Sequence, residues 1–288
     1  MGETESTIVK AWNTVLFEKF CRFKHLLVHG LASFSDAAFA RCAYAPGARV
    51  LDVGCGFGDT TLHIARAVGT NGLAVGVDCA DNFIKAAEAD ALAAGAANAR
   101  FFVGNAQSTD LRGPYDHVFA RFGTMFFEQP GAAMCNIRQA LRPGGTFTQI
   151  VWRRREENPW VHEAEVRVKA LVPVVAQEET DKEHCGPGPF SMANADMVST
   201  MLRSAGFERI AFERFDTEIC IGRDLDDALE FATNLGPAGE VMRLAGDEAE
   251  QLKPKVFAAL REAFAPFVRP NGIWGPASAW FITATNPR

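Results

Sequence analysis

Val50-Leu51-Asp52-Val53-Gly54-Cys55-Gly56-Phe57-Gly58-Asp59-Thr60-Thr61 is the stretch that decides the fold. The apolar run from Arg49 to Val53 reads as a buried strand, and three glycines at alternate positions follow it at once. Asp59 or Thr60 can cap the helix that comes next, an amphipathic segment over Thr61 to Val68 ended by Gly69 and Asn71-Gly72. Glycine in such a turn permits positive φ and removes the Cβ that would keep a ligand off the backbone. After a parallel strand, the turn opens at the carboxyl edge of the sheet, where ligands of open α/β folds bind. The spacing argues against two common ligands. A dinucleotide turn, G-x-G-x-x-G, wants its third glycine where Asp59 stands, and a phosphate loop wants a lysine that is absent here.

Moving outward, strand and helix alternate. A second strand covers Leu73 to Val77 and ends at Asp78, 24 residues beyond Gly54, which is the length of one βαβ unit. A carboxylate there can accept two strong hydrogen bonds from the vicinal hydroxyls of a ribose. The alternative role, capping the helix from Phe83 to Ala94, falls better to Asp81. A third strand, Ala99 to Val103, leads into Gly104-Asn105-Ala106-Gln107, and a fourth, Tyr115 to Ala120, into Arg121-Phe122-Gly123-Thr124. The guanidinium of Arg121 suits a carboxylate, either on a ligand or on a neighbouring Asp or Glu. A helix from Ala132 to Leu141 then turns through Arg142-Pro143-Gly144-Gly145 into a fifth strand, Thr146 to Trp152.

The D-x-G-x-G-x-G turn, Asp78 and the L-R-P-G-G turn, in register over Arg49 to Trp152, resemble the class I S-adenosylmethionine-dependent methyltransferases. The similarity is to the small-molecule branch that includes ubiquinone and menaquinone biosynthesis enzymes. It implies an α/β fold, a Rossmann-like, seven-stranded, doubly wound sheet that is mostly parallel with the last strand antiparallel, plus helical caps. It implies S-adenosyl-L-methionine as cofactor and S-adenosyl-L-homocysteine as product. The methionine part would lie against the glycine turn, at Asp52, Gly54, Cys55, Gly56, Gly58 and Thr60. The ribose would meet Asp78 and Cys79, and the adenine Asn105, Ala106 and Gln107, with Asn105 where the family more often has aspartate. Arg121 and Phe122, at the end of strand four, would border the methionine and the reacting methyl.

On either side of this core the chain is helical and aromatic. Residues 1–45 are expected to form an N-terminal helical lid, with Phe20, Phe23 and Leu27 on one helical face. Residues 46–288 would be the methyltransferase domain, with cap insertions at about 153–190 and 224–270. The first cap holds a helix from Trp160 to Leu171 and a loop from Pro173 to Pro189. After it come a helix from Met192 to Ser204, capped by Ser191 or Asn194, and a strand from Arg209 to Ile221. Leu225 to Leu235 and Glu248 to Phe264 read as helices and Ala277 to Ala284 as the last strand. Asn158-Pro159-Trp160 looks like the tetrapeptide of amino-methylating nucleic-acid enzymes, but it follows strand five rather than strand four and is set aside. Substrate contacts are expected from Trp12, Phe17, Met125, Phe126, Trp152 and Trp160, an apolar lining for an apolar or aromatic acceptor.

Composition narrows the partners. A net charge of −6 argues against nucleic acid, and the one basic run, Arg153-Arg154-Arg155, reads as a solvated strand end. Seven cysteines without a C-x-x-C pair suggest reduced thiols, a cytoplasmic setting and no metal site. Met1-Gly2-Glu3-Thr4-Glu5-Ser6 fits a loose myristoylation pattern that two acidic residues weaken. The expected partner is a small-molecule substrate, with no membrane insertion and a homodimer compatible with the chain. If the acceptor must lose a proton, His117 and His162 are the catalytic candidates, with His184 and Glu163 behind them. Two functions stand side by side: in-line methyl transfer to oxygen, nitrogen or carbon of a small molecule, or a catalytically inactive cofactor-binding regulator or partner subunit.

Overall fold

The architecture was analysed in a computed structural model, which describes residues 7–173 and 187–287. His184, Cys185 and the first six residues lie outside the described part. The chain opens with α1 (Thr7–Asn13), α2 (Val15–Arg22), a π-helical turn at His25–Gly30 and α3 (Ala32–Arg41). The alternating core follows as β1 (Arg49–Val53), α4 (Asp59–Val68), β2 (Leu73–Asp78), α5 (Asp81–Ala93), β3 (Ala99–Val103), β4 (Tyr115–Arg121), α6 (Pro130–Ala140) and β5 (Leu141–Trp152). Beyond it lie α7 (Pro159–Leu171), α8 (Ala195–Ser204), β6 (Glu208–Gly222), α9 (Leu225–Asn234), α10 (Gly236–Ala245), α11 (Asp247–Phe264), β7 (Val268–Arg269) and β8 (Gly272–Thr285).

The strands order as β3-β2-β1-β4-β5-β8-β6 in one sheet, with the two-residue β7 paired to β8. β1 to β5 pair in parallel, and β8 runs antiparallel to both β5 and β6. Strands covered on both faces must be apolar throughout, and Val50, Leu51 and Val53 are all fully buried. The pleat sorts them. Val50, Phe119, Ile150 and Phe281 join one core with α3, α4 and the cap helices, while Leu51, Val53, Val118 and Val151 join another with α6 and α8.

Several expectations change. β8 starts at Gly272, five residues before the expected strand, and β5 starts at Leu141, so Pro143-Gly144-Gly145 lies inside an irregular strand. The segment after Leu235 forms α10, because Pro237 sits in the first turn of a helix, where its missing N–H costs nothing. α8 begins at Ala195. Its cap is Asn194, whose Oδ1 accepts from Asp196 and Met197 N–H, while Ser191 donates to the Met125 carbonyl instead. α4 is preceded by Gly58 in the left-handed region, and neither Asp59 nor Thr60 caps it. α5 likewise starts at Asp81, which ion-pairs with Lys85 rather than capping. The arginine run is solvated only at Arg154: Arg153 is buried against Asp216 and Glu157, and Arg155 is paired with buried Glu165. Phe20 and Phe23 part company, since Phe23 packs on Phe231 while Phe20 meets Trp12 and Phe83.

Candidate active site

The turn between β1 and α4 lies at the carboxyl edge of the parallel strands. All three of its glycines have positive φ, at 68°, 51° and 77°. Gly58 is also sterically fixed, because a Cβ there would come within 2.8 Å of Ala87 and 2.9 Å of Phe101. That close approach is the role a third glycine plays in a dinucleotide turn, met here without further spacing. At Gly56 a Cβ would meet nothing within 4 Å, so the backbone there is open to a ligand.

Carboxylates surround the turn. Asp52 is fully buried, and its Oδ2 accepts from the hydroxyls of Thr60 and Thr61 at 2.6 Å each. Its Oδ1 is buried with no hydrogen-bond partner. Burial is the main influence on this carboxyl and lifts its pKa to about 6, against the opposing pull of the two threonines and Arg121. Asp78, at the end of β2, accepts from Gly56 N–H and Ala80 N–H at 3.0 Å each, which fixes its plane beside the turn. Burial also raises this carboxyl, with the backbone amides opposing. Asp59 faces Arg121, whose guanidinium donates to it at 2.9 Å and to the Ser35 hydroxyl of α3 at 2.7 Å. Arg121 is therefore held by the protein itself. Its fork ties β4, the start of α4 and the N-terminal helices together.

The rest of the predicted cofactor set is split. Asn105 Oδ1 already accepts from the N–H and the side-chain amide of Gln107, so the acceptor foreseen for adenine is turned onto its neighbour. Ala106 is buried, and its carbonyl accepts from Asn136. Phe122 has φ +55°, unusual for a residue with a side chain, directly after β4. Its ring stacks on Trp152 at 4.0 Å, and Phe34 stands edge-on to both. Cys55 is buried beneath the turn.

The N-terminal helices lie across this edge. Trp12 touches Phe126 after β4 at 5.1 Å and Phe83 of α5 at 6.4 Å, so it spans from one flank of the turn to the other. Phe17 packs on Phe83 and on Phe57 of the turn itself. Asn82 binds Asn13 through both its backbone and side-chain amides, and Lys24 pairs with Asp90, tying this segment to α5. Of the expected substrate residues, Trp12, Phe17 and Phe126 come together here. Trp152 and Trp160 sit deeper, in a series that runs on to Phe231. Met125 is buried, with its sulfur accepting from Trp152 N–H, and contributes to the core rather than to a cleft surface.

The two histidines expected as candidates for catalysis are not brought together. His117 lies near the amino end of β4, opposite Val50, and the glycine turn is at the other end of the strand. His162 is on α7, half-buried in the cap. The tetrapeptide look-alike is structural: buried Asn158 accepts from Ser278 N–H and donates to the Ser278 and Arg154 carbonyls, pinning the cap to β8. Among the described residues no cluster of His, Cys, Asp or Glu could hold a metal, and no helix is long and apolar enough to cross a membrane.

S-adenosylmethionine carries a sulfonium and an ammonium against one carboxylate, so it is a net cation. A turn with an open glycine backbone, three carboxylates, one arginine and a buried, unpartnered carboxylate oxygen suits such a group.

Residues 50–145 match the methyltransferase domain family. Nocamycin O-methyltransferase of Saccharothrix syringae is 30% identical over 184 residues, which are 60% of this chain and 64% of that protein. A demethylmenaquinone methyltransferase of Lactococcus lactis is 24% identical over 173 residues, 58% of this chain and 69% of that one. Among solved structures, the YcgJ protein of Bacillus subtilis superposes with a TM-score of 0.57 at 17% identity, over 89% of this chain and 99% of that one. The phosphoethanolamine N-methyltransferase 2 of Haemonchus contortus gives 0.59 at 16%, over 98% of this chain and 61% of that one. A [4+2]-cyclase, SpnF, gives 0.54 at 18%, over 94% and 95%, so the fold by itself does not specify the reaction.

Proposed function

We propose that this chain, whose residues 50–145 match a methyltransferase domain family, binds S-adenosylmethionine and transfers its methyl group to a small, apolar or aromatic molecule. One observation carries the reading: the open Gly56 backbone lies between carboxylates that favour a cation, under a roof of aromatic side chains. The relatives support the acceptor class, one being an O-methyltransferase and the other acting on demethylmenaquinone.

When bound, S-adenosylmethionine supplies a methyl group already made electrophilic by the sulfonium. The protein's part is to hold, align and exclude water. Asp78, braced by Gly56 and Ala80 N–H, would hold the ribose hydroxyls with its carboxylate. The Asp52 carboxylate favours the positive charge beside the turn. Trp12, Phe17 and Phe126 roof the cleft, and Phe122 with Trp152 gives a flat apolar wall against which a ring can lie. His25 is engaged with Asp227, His63 stacks on Phe39, and His117 bonds Thr146. Acceptors such as enols or activated rings, which need no strong base, fit this apolar lining.

Titration calorimetry with S-adenosylhomocysteine, run beside NADH, tests this. S-adenosylhomocysteine should bind in the micromolar range or tighter, and NADH should not. Asp78→Ala should weaken binding by about 1.5–3 kcal/mol, the scale of hydrogen bonds to a charged group. Labelled S-adenosylmethionine with a panel of phenols, quinones and amines should then yield a methylated product. Cofactor binding without any product across the panel would favour the inactive, regulatory role.

A further inference from the structure

The histidine that the active site leaves unused has its own surroundings. His117 opens onto a cleft of about 400 Å³, within the usual size of small-molecule sites. The cleft sits on the α3 face of the sheet, near the amino ends of β4 and β5. His117 pairs in register with Val50, four residues before Gly54, so the glycine turn is roughly 13 Å of strand away.

Its polar groups converge from several elements. His117 Nδ1 shares a 2.6 Å hydrogen bond with the Thr146 hydroxyl. The Cys42 thiol donates to Thr148 at 3.6 Å. The buried Tyr44 hydroxyl has no oxygen or nitrogen partner, and the Cys42 thiol is its polar neighbour. The Tyr44 ring stands 5.2 Å from the imidazole. Ala38 and Phe281 add apolar wall.

The charge at the rim is closed on itself. Arg41 donates to Glu213 at 2.6 and 3.0 Å and to the Ala37 carbonyl at 2.7 Å, and its guanidinium lies over Phe281. Burial lowers the pKa of His117, which favours the neutral imidazole. The cleft therefore offers hydroxyl and imidazole partners between apolar walls, with no free ion to attract an opposite charge.

We propose that this cleft is a second binding site, separate from the methyl-transfer site, for a small neutral hydroxylated ring of the phenol class. The ring would lie against Ala38 and Phe281, and its hydroxyl would pair with His117. This goes beyond the methyltransferase reading and does not rest on it.

The test is a nuclear magnetic resonance titration of the full chain, run both without and with S-adenosylhomocysteine, followed at the imidazole protons. His117→Gln identifies the His117 signal. Phenol is the probe, with benzoate and benzylamine as its charged counterparts. Phenol should move the His117 signal saturably, with an affinity at least roughly tenfold above that of either charged probe. Ala211→Phe and Thr283→Tyr, at exposed positions on the lip of the cleft, should abolish the response, whereas Trp12→Ala should leave it intact. An unmoved His117 signal, an equal response to benzoate, or a response that survives both lip variants would overturn the proposal. The comparison of phenol with the charged probes decides the matter in the unmodified protein even if a lip variant fails to fold.

Discussion

Asp52 is where burial and charge act most directly on each other. Its carboxyl is raised from 3.8 to about 6 by desolvation, so the folded protein keeps this proton longer than the unfolded chain does. Its contribution to stability is therefore largest below about pH 4 and is lost as the pH climbs through 6, by about 3 kcal/mol at most. A bound cation favours the ionised form, so cofactor affinity moves the other way. S-adenosylhomocysteine, which carries the ammonium, should bind more tightly as the pH rises from 5 to 7 and then level off. Asp52→Asn should flatten most of that rise, with Asp78 accounting for a remainder of the same sign. Calorimetry across this range checks it, and an affinity that stays level in the wild type would detach Asp52 from the cofactor. The Asp52 position was legible in the sequence because it sits within the glycine motif. Its partners were only half legible. Thr60 and Thr61 are local, but the Arg121–Asp59 pair joins residues 62 positions apart, which no periodicity connects.

Among the elements, the five parallel strands could be read because a strand covered on both faces is a continuous apolar run, and each one ends in a polar or glycine turn. The longer limits of β5 and β8 could not. Pairing with β6 and β7 carries β8 through Gly272, Gly275 and Pro276, and the pair of Leu141 with Tyr115, ahead of a register shift, carries β5 back across its Pro-Gly-Gly turn. The N-P-W stretch shows how a motif can mislead, since its asparagine was legible as a residue but its role as a fastener was not. Asn158 makes three hydrogen bonds to the backbone of Arg154 and Ser278, which are far apart in the chain. Asn158→Ala would strand buried Ser278 N–H and should cost about 2–3 kcal/mol. Urea denaturation should show this as a lower midpoint with an unchanged slope, and a loss below about 0.5 kcal/mol would mean that the cap is held mainly by its apolar face.

At the scale of the molecule, the N-terminal segment is the least anchored part of the site. α2 has no fully buried residue, and its hold on the turn is a set of aromatic edges and a few polar contacts. Segments of that kind open at low free-energy cost. Trypsin should therefore cut first at Lys10, Lys19, Arg22 or Lys24, and S-adenosylhomocysteine should slow that cleavage by closing the aromatic roof. Mass spectrometry of the first fragments checks it. Early cuts elsewhere, or a rate indifferent to the ligand, would show that these helices do not respond to the cleft.

The position of β8 has a consequence for how the protein is made. This strand is last in the chain order of the sheet yet lies between β5 and β6. A ribosome adding about 5–20 residues per second would finish β6 several seconds before the end of β8 emerged. Through that interval the two strands that will flank β8 have nothing between them, and their unpaired backbones are open to other nascent chains. The sheet closes only when its last strand slides into the gap, so the slow arrival of one segment sets the moment at which the newborn protein becomes safe from its neighbours.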